Sequence, residues 1–420
     1  AKTMQHPAGE YHKGVTYVTY QGLLEDPYVA AYDHEKDQWS GPFKAGESLM
    51  GKDPESKIDN HGKPAMIIDD EGFIHLVFGG HGGMPELGEN PLGNAHKGAM
   101  KHVVSKRPLD ITEWEELDNI PPFGTYNQFV KMDNGDIYLF YRHGAHRSNW
   151  VYQLSTDNGR TFAQPISILK TKLTTGTEEN PEIHDSWYAW FANGQGNDII
   201  VTYNYHVCKR PNHDGERHNC YYMVFDTDMN EWHNIKGEKL TTPVTKEVAD
   251  EKTLVVNTED KWTVRGAVRL DDDGNPHIIF YQGELLSLED VGPKQVIYYR
   301  WTGEKWYTAN STDLPVATGD IVVSSPDNAR LLLAGTIGNT AELAWWNTID
   351  GGQTFAKGEV LHQRKGGIRT TALIKNAHPD ARVVVSGNYE GDYKKMYLLG
   401  DKGPIKRLKA EADGLDSDSI

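Results

Sequence analysis

Apolar and polar residues alternate over short runs along nearly the whole chain, and helical periodicity is almost absent. Runs of about 4 to 8 β-branched and aromatic residues recur between turns rich in Asp, Asn and Gly, which predicts short, half-buried strands. Three hairpins share one grammar. Residues 64–68 lead through Asp69-Asp70-Glu71-Gly72 into 73–78, residues 128–132 through Asp133-Asn134-Gly135-Asp136 into 137–141, and residues 265–270 through Asp271-Asp272-Asp273-Gly274 into 277–281. In each, glycine takes the positive-φ position and Asp or Asn closes the turn with its own side chain.

The outer half of each unit repeats as well. A strand ending in an aromatic passes through a polar turn to a second aromatic, as in Tyr32 to Trp39, Phe225 to Trp232 and Tyr299 to Trp306. Two copies are sharper, Ser155-Thr156-Asp157-Asn158-Gly159-Arg160-Thr161-Phe162 and Thr348-Ile349-Asp350-Gly351-Gly352-Gln353-Thr354-Phe355, and match the Asp-box of sialidase-type propellers. The units fall at 12–45, 61–116, 124–170, 184–240, 262–308, 317–360 and 368–401. A spacing of about 45–60 residues per four strands is that of a propeller. The expected fold is all-β: one seven-bladed β-propeller of mostly four-stranded antiparallel blades over 1–401, with a charged tail over 402–420. Six or eight blades follow if the first and last units merge, and a pair of β-sandwiches is the weaker alternative.

Composition narrows the function. The 420 residues carry a formal charge of -17, which disfavours nucleic acid and anionic membranes as partners without excluding an anionic ligand in a local basic pocket. No apolar run approaches the roughly 18 residues of a membrane-spanning helix. Two cysteines among 420 residues exclude a disulfide scaffold. The chain opens Ala1-Lys2-Thr3 without methionine or a signal peptide, as a processed chain would, which leaves export open.

Both cysteines lie in His-x-Cys pairs, His206-Val207-Cys208 and His218-Asn219-Cys220, joined by a turn-rich loop. Residues i and i+2 of a strand share a face, so each pair offers an imidazole and a thiolate to one ion. His206, Cys208, His218 and Cys220 together predict a structural zinc site, since four protein ligands leave no open position. Unrelated cysteines or a Cys208–Cys220 disulfide are the bland alternatives.

Propeller ligands bind at the central mouth, where second strands end in His81, Arg142 with His143, Asn204, and Gln282. First strands add Asn127, Tyr188 and Arg265, while His61 and His146 lie in adjoining turns. The expected catalytic set is His143, Tyr188 and His81, with Arg142, Asn204, Asn127, His61, His146 and Arg265 binding substrate. Acids concentrate in the turns instead, which argues against a glycosidase with two facing carboxylates. A His/Tyr/Arg mouth suits proton abstraction beside a carboxylate.

The segments Asp59-Asn60-His61-Gly62-Lys63-Pro64 and Tyr141-Arg142-His143-Gly144, with the Asp-boxes and His-x-Cys pairs, resemble the BNR-repeat polysaccharide lyases that cleave ulvan, most specifically over 59–220. The resemblance implies a seven-bladed propeller, a structural zinc ion and a secreted or periplasmic bacterial enzyme, expected as a monomer. It also implies β-elimination on a sulfated rhamnose–uronate polysaccharide, leaving a 4,5-unsaturated uronate. His143 and Tyr188 then match the family's acid/base residues and His81 a partner. Where the family places an arginine beside the uronate carboxylate, the blade-four strand carries Asn204, a neutral amide, so either Arg142 takes the role, the matching position lies elsewhere, or the chain is a weakened or inactivated form. A sialidase-like hydrolase and a noncatalytic glycan-binding propeller are the competing functions.

Overall fold

The computed structural model describes residues 6–52, 58–174, 183–209, 214–284, 294–309, 314–390 and 393–406. The alternating pattern folds as expected into four-stranded antiparallel units, each made of consecutive strands. The first strands of the units are Gly9–His12, Ala65–Ile68, Thr125–Lys131, Ile183–Asn193, Thr263–Leu270, Ala317–Val323 and Ile368–His378. Each touches the next in this order and the last touches the first, so they form a closed inner ring of seven blades. The first and last units do not merge. Each keeps its own four strands, and they meet where Glu10 pairs with Lys375 in a parallel bridge between inner strands. The expected all-β propeller is therefore the observed fold. Among the described residues no helix is long and apolar enough to cross a membrane.

The core lies between blades. Tyr126, Phe140, Trp150, Trp187, Phe191, Tyr203 and Phe225 fill the wedge between blades three and four. Near the axis the N-terminal segment ties neighbouring blades together. The His6 carbonyl accepts from Phe129 N–H and that of Pro7 from Met66 N–H, while the His6 ring stacks on Trp190 at 4.1 Å.

One end of the propeller holds the Asp turns and Asp-boxes. Asp69 Oδ1 accepts from the amides of Glu71 and Phe73, and Asp157 closes its box on Ser155 and Thr161 as Asp350 does on Thr348 and Thr354. The box glycines face the preceding blade. A Cβ on Gly159 would stand 2.8 Å from the His75 ring, and one on Gly352 would stand 2.2 Å from Tyr298.

At the other end blade four stands out. Its first three strands, Ile183–Asn193, Asp198–Lys209 and Asp214–Asp226, run 11, 12 and 13 residues, against 7, 6 and 6 for the corresponding strands of blade three. The extra length raises a wall beside the mouth. It is buttressed by Leu254–Val256, which pairs with the third strand, and by the short helix Lys246–Lys252, N-capped by Thr245.

Candidate active site

An arc of rings crosses blades two, three and four. His81 stacks on His61 with centroids 3.7 Å apart, His61 lies 5.3 Å from Tyr126, and Tyr126 lies 5.5 Å from Tyr188. Tyr188 lies 5.4 Å from His206, and His206 lies 5.3 Å from His146. The structure thus brings together His61, His81, His146, Tyr188 and His206 from the sequence-derived set. Asn204 joins them because it lies directly opposite Tyr188 in the register of blade four, on the same face.

Two arginines flank Tyr188. Arg217 donates from Nη2 to the Tyr188 hydroxyl at 3.1 Å and stacks over its ring at 4.3 Å. Arg142 lies 4.8 Å from the Tyr126 ring centre and 5.6 Å from that of Tyr188. Arg142 is wholly buried; Nη1 reaches Ser186 at 3.4 Å, whereas Nε and Nη2 have no acceptor among the described residues. It is thus a buried charge beside the two tyrosine rings, at a position where sequence reasoning expected a substrate contact. Burial and the neighbouring Tyr188 phenol push the Tyr126 hydroxyl up.

At the blade-two end, Asp59 organises the histidines. Its Oδ1 accepts from His61 Nδ1 at 2.5 Å, and its Oδ2 accepts from His81 Nδ1 at 2.7 Å and Lys97 Nζ at 2.8 Å. Burial alone would raise this carboxyl, but the donated hydrogen bonds outweigh it and hold Asp59 well below the usual carboxylate range. His81 is lowered to about 4 by burial, so it is neutral near pH 7.

Two of the expected residues, His143 and Asn127, take partners outside this arc. His143 does not meet Tyr188. Its Nδ1 pairs with Asn90 Oδ1 at 2.8 Å and its ring packs near Phe123 and Tyr141, because the residue after Arg142 points to the opposite side of the strand. Asn127 is a buried tie between blades, donating to the Val77 carbonyl at 2.6 Å. The side chain of Arg265 lies outside the described residues, although its backbone is part of Thr263–Leu270.

The four expected zinc ligands do not converge. His206 pairs with Arg217 and Cys208 with Gly215, so these four positions share a face, whereas His218 lies opposite Tyr205 on the other face. Cys220 lies 3.4 Å from Thr202 Oγ1. Thr202 is about 20 Å down the strand from Cys208 at roughly 3.3 Å per residue. No disulfide joins the two cysteines, and burial pushes the Cys220 thiol up to about 12. A different set does converge: His146, His206 and Cys208 offer ligand atoms all within 4.8 Å of one another. Ligand atoms round a tetrahedral zinc stand about 3.3–3.8 Å apart, so two imidazoles and a thiol at this spacing fit the ion after small rotations.

Sequence reasoning passed over Asp59, Lys97 and Arg217 as functional groups. The register of the blade-four hairpin was the missing signal for Arg217, since only the pairing of 206 with 217 turns that side chain towards Tyr188.

The chain matches the BNR repeat-containing family over residues 91–314. It is 52% identical to the ulvan lyase of Nonlabens ulvanivorans, over 98% of this chain and 89% of that protein. It is 50% identical to the PL25 ulvan lyase of a Pseudoalteromonas species, over 96% of this chain and 84% of the relative. A solved polysaccharide lyase PL25 ulvan lyase, bound to -[GlcA(1-4)Rha3S]-, superposes with a TM-score of 0.93 at 48% identity, covering 98% of this chain and 96% of that one. Identity at this level over nearly the whole length of both chains establishes that the protein belongs to the ulvan lyase family of BNR-repeat polysaccharide lyases.

Proposed function

We propose that the chain is a secreted or periplasmic ulvan lyase, acting as a monomer, that breaks a sulfated rhamnose–uronate polysaccharide by β-elimination. The observation that carries this reading is the Tyr188 phenol, which accepts a hydrogen bond from Arg217 beside the buried charge of Arg142. A tyrosine removes a carbon-bound proton only as phenolate, and a donated charge-assisted hydrogen bond favours that form.

In this reading Tyr188 takes the C5 proton of the uronate. Charge then develops on the sugar carboxylate, and Arg217, the less buried of the two arginines, lies on the side from which a ligand meets it, with Asn204 adding an amide. The C4–O4 bond breaks as the C4–C5 double bond forms, and a proton returns to O4 from Tyr188 or from the His61/His81 side of the arc. Water is not consumed. The cationic residues Lys97, Arg142 and Arg217 oppose the chain's overall charge of -17 where an anionic polymer would lie.

His146, His206 and Cys208 would hold a zinc ion, which would pin the long blade-four hairpin to the blade-three loop and thereby fix the wall that carries Arg217. Its contribution when bound is structural.

Ultraviolet absorbance of the conjugated unsaturated uronate during incubation with ulvan tests the reading. The wild-type chain is expected to produce the signal and Tyr188→Phe to lose roughly 100-fold or more of it. Reducing ends without absorbance would identify a hydrolase, and neither signal would identify a binding propeller.

A further inference from the structure

Asp59 lies in the connection between the first two blades and makes no contact with Tyr188 among the described residues, yet it is the hub of the blade-two half of the site. Its backbone is clamped from blade one: its N–H donates to Glu25 Oε1 at 2.8 Å and its carbonyl accepts from Gln21 Nε2 at 2.8 Å. Its side chain is only 8% exposed, and each carboxylate oxygen faces the Nδ1 of a different histidine. The two imidazoles are nearly parallel, 8° apart, at a centroid distance of 3.7 Å.

A carboxylate accepts and cannot donate, so both Nδ1 atoms must carry the hydrogen. That fixes one tautomer for both rings and leaves Nε2 as the basic nitrogen of each. From the geometry we infer that Asp59 is a positioning residue that locks His61 and His81 as a parallel, Nε2-basic pair facing the sugar. The same carboxylate binds the Lys97 ammonium. This argues that the Asp59–His61–His81 group, although close enough to hold a cation, already has its positive partner. The consequence for the reaction rests on the lyase reading above: a preset Nε2 pair accepts from a sugar hydroxyl or returns a proton to O4 without first reorienting.

Asp59→Asn makes the point testable, since an amide of the same shape has one accepting and one donating end. One of the two rings must then face an N–H₂ group and switch to the Nε2–H tautomer. Histidine nitrogen NMR on the isotope-labelled full chain, with His61→Gln and His81→Gln providing assignments, should show both rings as Nδ1–H in the wild type and one ring switched in Asp59→Asn. The same variant should lose roughly 10- to 100-fold in kcat with KM within about twofold, and Asp59→Glu should recover part of the loss with both rings again Nδ1–H. Unchanged tautomers in Asp59→Asn, or a wild-type pair that is not Nδ1–H, would overturn the proposal. Because the NMR reading needs no substrate, a wild-type chain inactive on ulvan would count against the lyase reading alone.

Discussion

Tyr188 and Asn204 face each other across the first two strands of blade four, both almost fully buried and on the face that carries Ser186 and His206. In the reaction proposed above, the amide therefore occupies a position from which a longer cationic side chain would reach the sugar carboxylate beside the phenol. Asn204 donates a long 3.4 Å hydrogen bond to the neighbouring Tyr205 carbonyl, and a neutral amide cannot neutralise the charge of an aci-carboxylate. A charge-assisted hydrogen bond contributes about 1.5–3 kcal/mol. Asn204→Arg is accordingly expected to raise kcat/KM on ulvan by roughly 10- to 100-fold. An unchanged or lower rate, from progress curves of product absorbance, would mean that Arg217 alone suffices.

The zinc set proposed above separates the two cysteines. Cys208 shares a face with His206 and converges with His146, whereas Cys220 packs against Thr202 in the core shared with blade five. Cys208→Ser should lose the zinc and lower the melting temperature, since a structural zinc site contributes several kcal/mol. Cys220→Ser should keep one zinc per chain. Elemental analysis of the purified variants decides, and loss of metal from Cys220→Ser would restore the set expected from the sequence.

How far the sequence carried is clearest in this hairpin. The His-x-Cys spacing placed His206 and Cys208 on one face correctly, because strand alternation is local. It failed for the second pair because register is not local. Cys208 pairs with Gly215, which turns Arg217 rather than His218 to the ligand face, and a bulge around Asn219, at φ +64, shifts Cys220 again. A slip of one residue exchanges faces. Blade repetition survived such errors, since it depends on strand and turn spacing summed over seven copies. Arg217 and Asp59 act through pairings 11 and 22 residues away, with His206 and His81 respectively, that no short motif records.

The Asp-box glycines offer a stability test of blade-to-blade packing. Gly159 has φ +73 and Gly352 φ +83, conformations that L side chains rarely adopt. A methyl at either would also press on a ring of the preceding blade, His75 or Tyr298. Gly159→Ala and Gly352→Ala should each destabilise by about 1–3 kcal/mol in denaturant unfolding. The Gly352 change should be the larger, because Tyr298 is held by His277 at 2.5 Å and a methyl would stand only 2.2 Å from its ring.

Acid should unfold the protein in part through His143. Asn90 Nδ2 donates to the His143 carbonyl, and Asn90 Oδ1 accepts from Leu92 N–H. Asn90 Oδ1 therefore accepts from His143 Nδ1–H as well, and the ring is neutral with that nitrogen protonated. Among the described residues no carboxylate pairs with this ring to stabilise a second proton. Burial lowers it from 6.5 to about 4. The unfolded chain thus binds one more proton than the folded chain between about pH 6.5 and pH 4, so this histidine's contribution falls as pH falls through that window. The slope is about 1.4 kcal/mol per pH unit for one proton. His143→Gln removes the titrating group, so the dependence of unfolding free energy on pH should flatten by about one proton over this range. An equally steep acid limb in His143→Gln would assign the loss to other buried histidines such as His277, which burial also lowers.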